Sequence, residues 1–408
     1  MGEAVTHAAI EAVARNSYGR LVAYLAARSR DIASAEDALG DAFASALRRW
    51  PIDGLPEKPE AWLIHAARNR LIDAARHGQV RQKSAPLLQI AGEVETMATT
   101  QPSFPDERLK LLFVCAHPAI DVTARTPLML QTVLGLSAAQ IASAFLVSPA
   151  AMDRRLVRAK TKIREARIPF RVPDPHEWKE RASFVLDAIY SAYSSGWEMA
   201  ADDAATRHAL AREAIAMART LVELLPNEPE AHGLLALMLH CEARRAARFS
   251  SEGEFVPLHA QDTASWSRPM IDEAERHLRA ASALQQIGRY QLEAAIQSIH
   301  ADRAVSGAID WPQIALLYEG LVRIAPTVGA QVGRAVALAE MGDVAVGLAA
   351  LNAVPVNSRF NYQPWSAAHA HILRRLGHTA EARAAFERAA SLTDDPALRC
   401  YLLKQAMQ

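Results

Sequence analysis

The sequence predicts an all-α chain, and three observations carry that prediction. Alanine, leucine and arginine dominate throughout, and aromatic residues make up only 6% of the 408. Apolar residues recur three and four apart rather than alternately, the period of a helix face and not of a strand. At 50% hydrophobic and 22% charged residues, the chain has the balance of a folded protein long enough for two or three cores.

Taken in order, the first helix carries Tyr18, Leu21, Val22 and Leu25 on one face. The second has the clearest stripe, Leu39, Ala42, Phe43, Ala46, Leu47 and Trp50, opposite Asp37, Asp41, Ser45 and Arg48, and is expected to stop at Pro51. A third is entered through Pro59 and Glu60 and carries Leu63, Ala67, Leu71 and Ala75. These three make a bundle over 8–77. Residues 78–105 lack sustained periodicity, contain Gly, Pro, Ser and Thr clusters, and read as a linker. A second helical unit, 106–168, runs up to Pro169, and Pro127 is expected to kink its first long helix or shift that helix's start.

The remainder divides into a helical segment, 183–285, and a repetitive one, 286–408. Aligned on Gly342 and Gly377, small or apolar residues recur after five, nine and twelve positions: Gly347, Leu351, Val354 and then Ala382, Phe386, Ala389. Ile309, Ile314, Tyr318 and Leu321 fit the same frame thirty-three residues earlier. Helix pairs at a spacing near thirty-four resemble tetratricopeptide repeats.

Charge and composition exclude several classes. The 45 basic and 45 acidic residues sum to zero, yet residues 1–171 hold 23 basic and 17 acidic side chains and residues 172–408 hold 22 and 28. A reader of nucleic acid at the N-terminal end is therefore compatible with a neutral whole. No run of eighteen apolar residues occurs and the opening MGEAVTHAAIEAVAR lacks a secretory pattern, so the expectation is a cytoplasmic protein with no membrane partner. Cys115, Cys241 and Cys400 are too scattered for a disulfide framework and are expected to be buried apolar residues. Walker, GxSxG, HExxH and GxGxxG signatures are missing, and neither Cys115 with His117 nor His369 with His371 shares a helix face for a metal. No catalytic residue, cofactor or metal is expected.

The informative segment is 136–167, LSAAQIASAFLVSPAAMDRRLVRAKTKIREAR, which reads as helix, turn, helix. Ser137 with Gln140 forms a capping box, and Ser148 followed by Pro149 starts the second helix. Met152, Leu156, Ala159 and Ile163 line one face of it, with Arg154, Arg158 and Lys162 opposite. A DNA-reading helix needs this division, because the core must hold it while cations reach bases and phosphates.

The stretches AEDALGDAFASALRRW and KPEAWLIHAARNRLIDAARH then resemble region 2 of sigma factors of the extracytoplasmic-function group, the subunits that direct bacterial RNA polymerase to promoters. Residues 106–168 correspondingly look like sigma region 4, and 183–408 resemble the helical, tetratricopeptide-like extension of one subgroup. The resemblance implies that Asp37, Gly40 and Asp41 dock on the beta-prime clamp helices of core polymerase. It implies that the loop at about 49–60 captures a flipped base of the minus-ten element, with Arg68, Asn69, Arg70 and Arg76 on the helix after it. At the minus-thirty-five element it places Ala150, Ala151, Arg154, Arg155 and Arg158 on the helix entering the major groove, with Lys160 and Lys162 on phosphates. Asp153 departs from the residues common there. The segment 189–197, IYSAYSSGW, stands where the subgroup has an Asn-Glu-Gly-Tyr-like sequence, and the basic run after Asp73 is thin. The implied function is promoter recognition and transcription initiation with core polymerase and promoter DNA as partners, regulated by the extension through an unidentified ligand or protein. The alternatives are a tetratricopeptide-type scaffold, or a helix-turn-helix regulator acting without polymerase.

Overall fold

The structure, a computed structural model, describes residues 3–79, 107–145, 147–173, 177–178, 181–198 and 204–408. Among these the regular elements are helices, and Phe249 and Phe255 form an isolated antiparallel bridge. The chain divides into two compact units, Met1–Ala192 and Tyr193–Gln408.

The first unit begins with α1 (Glu3–Ser29), α2 (Ile32–Asp53) and α3 (Pro59–Gln79). The Asp31 carboxylate accepts from the amides of Ala33 and Ser34 and so starts α2. Ala35, Ala38, Leu39, Ala42, Ala46 and Trp50 are buried along its inner stripe. The helix does not stop at Pro51 as expected but runs on to Asp53 and closes at Gly54, whose φ is 90° and whose N–H bonds Trp50 O. Proline is tolerated there because it falls in the last turn, where only one ladder bond is lost before the chain turns away. Trp50, 1% exposed, meets the edge of Trp62 with ring centroids 5.4 Å apart. Helix α3 reaches two residues into the expected linker, and the rest of that linker lies outside the described residues.

Four further helices follow: α4 (Arg108–Cys115), α5 (Val122–Leu134), α6 (Ala138–Ala144) and α7 (Pro149–Glu165). They do not stand apart from the first three. Helix α1 packs on both α4 and α5, and α2 packs on α7. The crossing of α1 with α5 depends on Gly19, where an added Cβ would lie 1.7 Å from the Val133 carbonyl oxygen. Trp178 stacks on Phe113, and Arg125 lies over the ring of Phe184 at the start of α8 (Ala182–Glu198).

In the second unit, α9 (Ala204–Leu224), α10 (Pro229–Ala243), α11 (Arg268–Ala283) and α12 (Arg289–Ser306) pack together. Helix α10 is the centre: its residues from Ala231 to His240 are all buried, the signature of a helix apolar on every side. Pairs then follow in sequence, α13 (Trp311–Ile324) with α14 (Val328–Glu340), α15 (Val344–Asn352), the short α16 (Val356–Arg359), and α17 (Gln363–Arg375) with α18 (Thr379–Ser391) and α19 (Pro396–Ala406). The positions in the sequence frame are core: Gly347, Leu351, Val354, Ala382, Phe386 and Ala389 are all buried. Gly342 and Gly377 sit at φ 111° and 82° between consecutive helices, backbone that a side chain rarely adopts. The irregular connection from α10 to α11 is tied inward: Arg303 donates to the carbonyls of His259 and Gln261 at 2.7 and 2.9 Å, and Phe255 meets Tyr401 at 5.3 Å.

Candidate nucleic-acid interface

The helix, turn, helix of α6 and α7 is set up by local hydrogen bonds. Ser137 N donates to Gln140 Oε1 at 2.9 Å while Gln140 N donates to Ser137 Oγ at 3.3 Å, a reciprocal cap on α6. Ala151 N donates to Ser148 Oγ at 3.3 Å, and Pro149 occupies the first position of α7. Met152, Leu156, Ala159 and Ile163 are buried and bind α7 to the unit. Its outer face therefore presents Ala150, Asp153, Arg154, Arg158 and Lys162 to solvent, with Ala151 half-buried. Val157, 56% exposed, stands among these cations as a large apolar side chain.

Two of the expected phosphate or base contacts are turned to other tasks. Pro127 lies within α5 without interrupting it, and its missing amide leaves the Thr123 carbonyl without its ladder donor. Arg155 Nη1 supplies that donor from α7 at 3.2 Å. The helical assignment thus runs through Pro127 from Val122 to Leu134, with the freed carbonyl met from another helix. Lys160 is turned inward: its side chain is 12% exposed and its ammonium pairs with the Glu36 carboxylate of α2, itself 14% exposed. Arg164 adds a looser contact to Asp31 at 3.6 Å. Burial pushes the Glu36 carboxyl up against the opposing pull of Lys160.

Helix α3 places its residues unevenly. Arg68 is 7% exposed and lies within the bundle, against the expectation of a strand contact. The reason is its spacing: it follows Ile64 by four on the side of α3 flanked by Leu63, Ala67 and Leu71, where its long stem is drawn into the core. Asn69 and Arg70 are exposed, Asn69 beside His65 at 3.4 Å and Arg70 at 3.7 Å from Asp41. Arg76 falls on α3, and its side chain lies outside the described residues.

Asp37, Gly40 and Asp41 form one exposed edge of α2, with open space around Gly40. Ile52, 84% exposed, projects at the end of α2 beside the loop that enters α3, while Trp62 and Phe43 are half-buried. Of the cysteines, Cys115 is buried against Thr132 at 3.7 Å, with its thiol pushed up to about 12 by burial. Cys400, expected inside, is exposed because it falls on the outer side of α19. Among the described residues no helix is long and apolar enough to cross a membrane.

Glu36, Gly19 and the Pro127–Arg155 relation were outside the sequence expectations. Pro127 was itself visible inside a helical pattern, and Gly19 left a local signal of the same kind, a glycine there, which costs about 1 kcal/mol against alanine unless a close approach requires it.

Together these features define an all-helical protein with a three-helix N-terminal bundle and a capped helix pair bearing an outward cationic face. Residues 14–81 match the family model described as Sigma-70 region 2, and residues 181–282 match a family of unknown function (DUF6596). An uncharacterized protein of Rhizobium meliloti (strain 1021) is 37% identical over 383 residues, 92% of this chain and 90% of the relative. No solved structure matches. The chain belongs to the same family as that relative, and its region 2 and the domain of unknown function mark it as a sigma-70 family factor.

Proposed function

We propose that the protein is a sigma factor of the extracytoplasmic-function kind, which binds core RNA polymerase and directs initiation at promoters read by both helical parts of its first unit. The observation that carries this reading is the match of residues 14–81 to region 2, since that region in the resembling family joins polymerase to the minus-ten element. The exposed edge of Asp37, Gly40 and Asp41 suits a cationic partner on polymerase. The exposure of Asn69 and Arg70, and the loop beside Ile52, support the reading that a flipped base and its strand are held here as the resemblance implies.

Helices α6 and α7 then act as the reader of the minus-thirty-five element. Arg154 and Arg158 are the candidates for bidentate guanine contacts, Ala150 and Ala151 allow close approach, and Lys162 is placed for phosphate. The helix pairs of 286–408 resemble tetratricopeptide repeats and serve in this reading as a regulatory extension. The protein does no chemistry of its own on DNA and needs no cofactor; catalysis belongs to polymerase.

Transcription reconstituted from core polymerase, the full chain and a promoter library tests this. Templates initiated only when the chain is present are the expected result. Asp37→Lys with Asp41→Lys abolishes that initiation while α-helical content stays unchanged, and Arg154→Ala with Arg158→Ala lowers it at least tenfold on templates with an intact upstream element, since each lost base contact costs about 1–3 kcal/mol. A folded chain that initiates on no template ends the proposal.

A further inference from the structure

Helices α11 and α12 of the second unit border a cleft of about 500 Å³, within the size range of sites that hold small organic molecules. Sequence spacing explains how the two helices line it. On α11, Arg268, Ile271 and Glu275 follow at three- and four-residue steps, and on α12 Ser298, Asp302 and Val305 do the same, so each helix gives the cleft one face. The turn into α13 adds Ile309 and Asp310.

The lining is divided between aliphatic side chains and carboxylates. Ile271, Ile299, Val305 and Ile309 supply apolar wall, and Val305, 73% exposed, keeps part of that wall in contact with solvent. Glu275, Asp302 and Asp310 supply negative charge. The cation in the lining, Arg268, is offset by Asp272, whose carboxylate lies 3.0 Å from its Nε.

Carboxylates on a surface specify no ligand by themselves, and the way Glu275 is held sets this cleft apart. Glu275 Oε1 accepts from Ser298 Oγ of α12 and lies 3.4 Å from Nε2 of His240 on α10, while Arg279 stands 3.9 Å from Oε2. The His240 side chain is 1% exposed, and its Nδ1 has no hydrogen-bond partner. Burying an imidazole with an unmet nitrogen is costly, so it is poor packing material and a good fixture for the carboxylate in front of it. His240 and Ser298 together hold the Glu275 carboxyl below the usual carboxylate range against the effect of burial. Asp310 accepts from Gln313 N at 2.9 Å, whereas the exposed Asp302 carboxylate makes no hydrogen bond or ion pair among the described residues. An anion would be repelled from this lining, and a neutral apolar molecule would fill the walls and leave the carboxylates unanswered. A cation with a hydrocarbon body meets both.

We propose that the cleft between α11 and α12 binds an aliphatic amine, its ammonium taken by Asp302 and Glu275 and its body laid along Ile271, Ile299 and Val305. As a means of regulation the site rests on the proposed function, because it gives the extension a class of ligand. As a site it rests on the cleft alone.

The test titrates hexylamine into the full chain, followed by ligand-observed magnetic resonance, beside hexanol, hexanoate and methylamine. Hexylammonium is expected to bind at least about tenfold more tightly than hexanol, which lacks the charge, with hexanoate excluded. Methylammonium has the charge without the body and should bind far more weakly, since each buried methylene is worth about fourfold in affinity. Asp302→Asn should weaken hexylammonium about tenfold, while Asp394→Asn, the same charge change on an exposed residue outside the cleft, should change it less than about twofold. Val305→Lys, a substitution at an exposed position that leaves helical content unchanged, places a tethered ammonium at the cleft and should abolish binding. No binding of hexylamine up to about 10 mM would overturn the site, as would hexanol or methylamine binding equally well, or Asp302→Asn behaving like Asp394→Asn. Amine binding with this pattern in a chain that never initiates with polymerase would leave the site standing and remove the sigma-factor reading. Initiation by a chain that binds no amine would do the reverse.

Discussion

Arg155 shows how a single side chain can have a role that neither charge nor helix position discloses. Its neighbours Arg154 and Arg158 face solvent, whereas its own guanidinium donates to Thr123 O, the carbonyl that Pro127 leaves without an amide. Thr123 is exposed, so water replaces the guanidinium when it is removed and the bond contributes only the modest net gain of an ordinary hydrogen bond. Arg155→Ala is expected to lower the opening free energy of α5 by about 1 kcal/mol in native-state hydrogen exchange. In a Pro127→Ala background the restored amide takes over Thr123 O, and the same substitution should then cost close to nothing. Equal costs in the two backgrounds would show that Arg155 and Pro127 are independent.

At the scale of elements, helix ends divide into those capped from nearby and those capped from afar. Asp31, Ser137 and Ser148 cap within three residues of themselves, and each is readable as a local pattern. Helix α12 begins at Gly288, which offers no side chain, and its first amides are instead bonded by Glu230 of α10: Tyr290 N at 2.9 Å and Gln291 N at 3.1 Å. The turns of the helix pairs belong to the readable class. Gly342 and Gly377 stand in left-handed backbone thirty-five residues apart, and Gly307 has φ 73° thirty-five residues earlier still. The frame of buried positions in that first pair nonetheless starts from Ile309, with Ile314 and Leu321 in the core, so the turn there is two residues longer. Gly342→Ala and Gly377→Ala should each destabilise the second unit by about 1 kcal/mol in urea unfolding, the cost of a Cβ at positive φ with open space around it. No change at either position would mean that the turn adapts by another route.

At the scale of the whole molecule, zero net charge hides two unequal parts, 23 basic against 17 acidic side chains up to residue 171 and 22 against 28 beyond it. The N-terminal excess is concentrated on α7, where Arg154, Arg158 and Lys162 are exposed. The full chain is therefore expected to bind heparin at low salt despite its neutrality, and Arg154→Ala, Arg158→Ala and Lys162→Ala together should abolish retention. Retention unaffected by the triple substitution would place the cationic surface elsewhere. The compact units also decide where the chain can be divided. A cut at residue 171 removes Trp178 and Phe184, which stack on Phe113 and underlie Arg125 within the first unit, so it would damage the part it was meant to isolate.

What the amino-acid sequence determined by itself was governed by interactions within about one helical turn. Periodicity placed the helices, side-chain caps placed their starts, and the frame from Gly342 to Ala389 placed core residues of the helix pairs. The outward face of Arg154, Arg158 and Lys162 followed from the same 3.6-residue period. Tertiary structure alone decided the rest: Lys160 joined to a carboxylate 124 residues away, Arg155 to a carbonyl 32 residues away, and α12 capped from 60 residues away. The physical reason is that periodicity records which face of a helix avoids water and is silent about which helix covers it. Whether an exposed-looking cation meets solvent, a neighbouring helix or DNA is settled only when the faces are brought together.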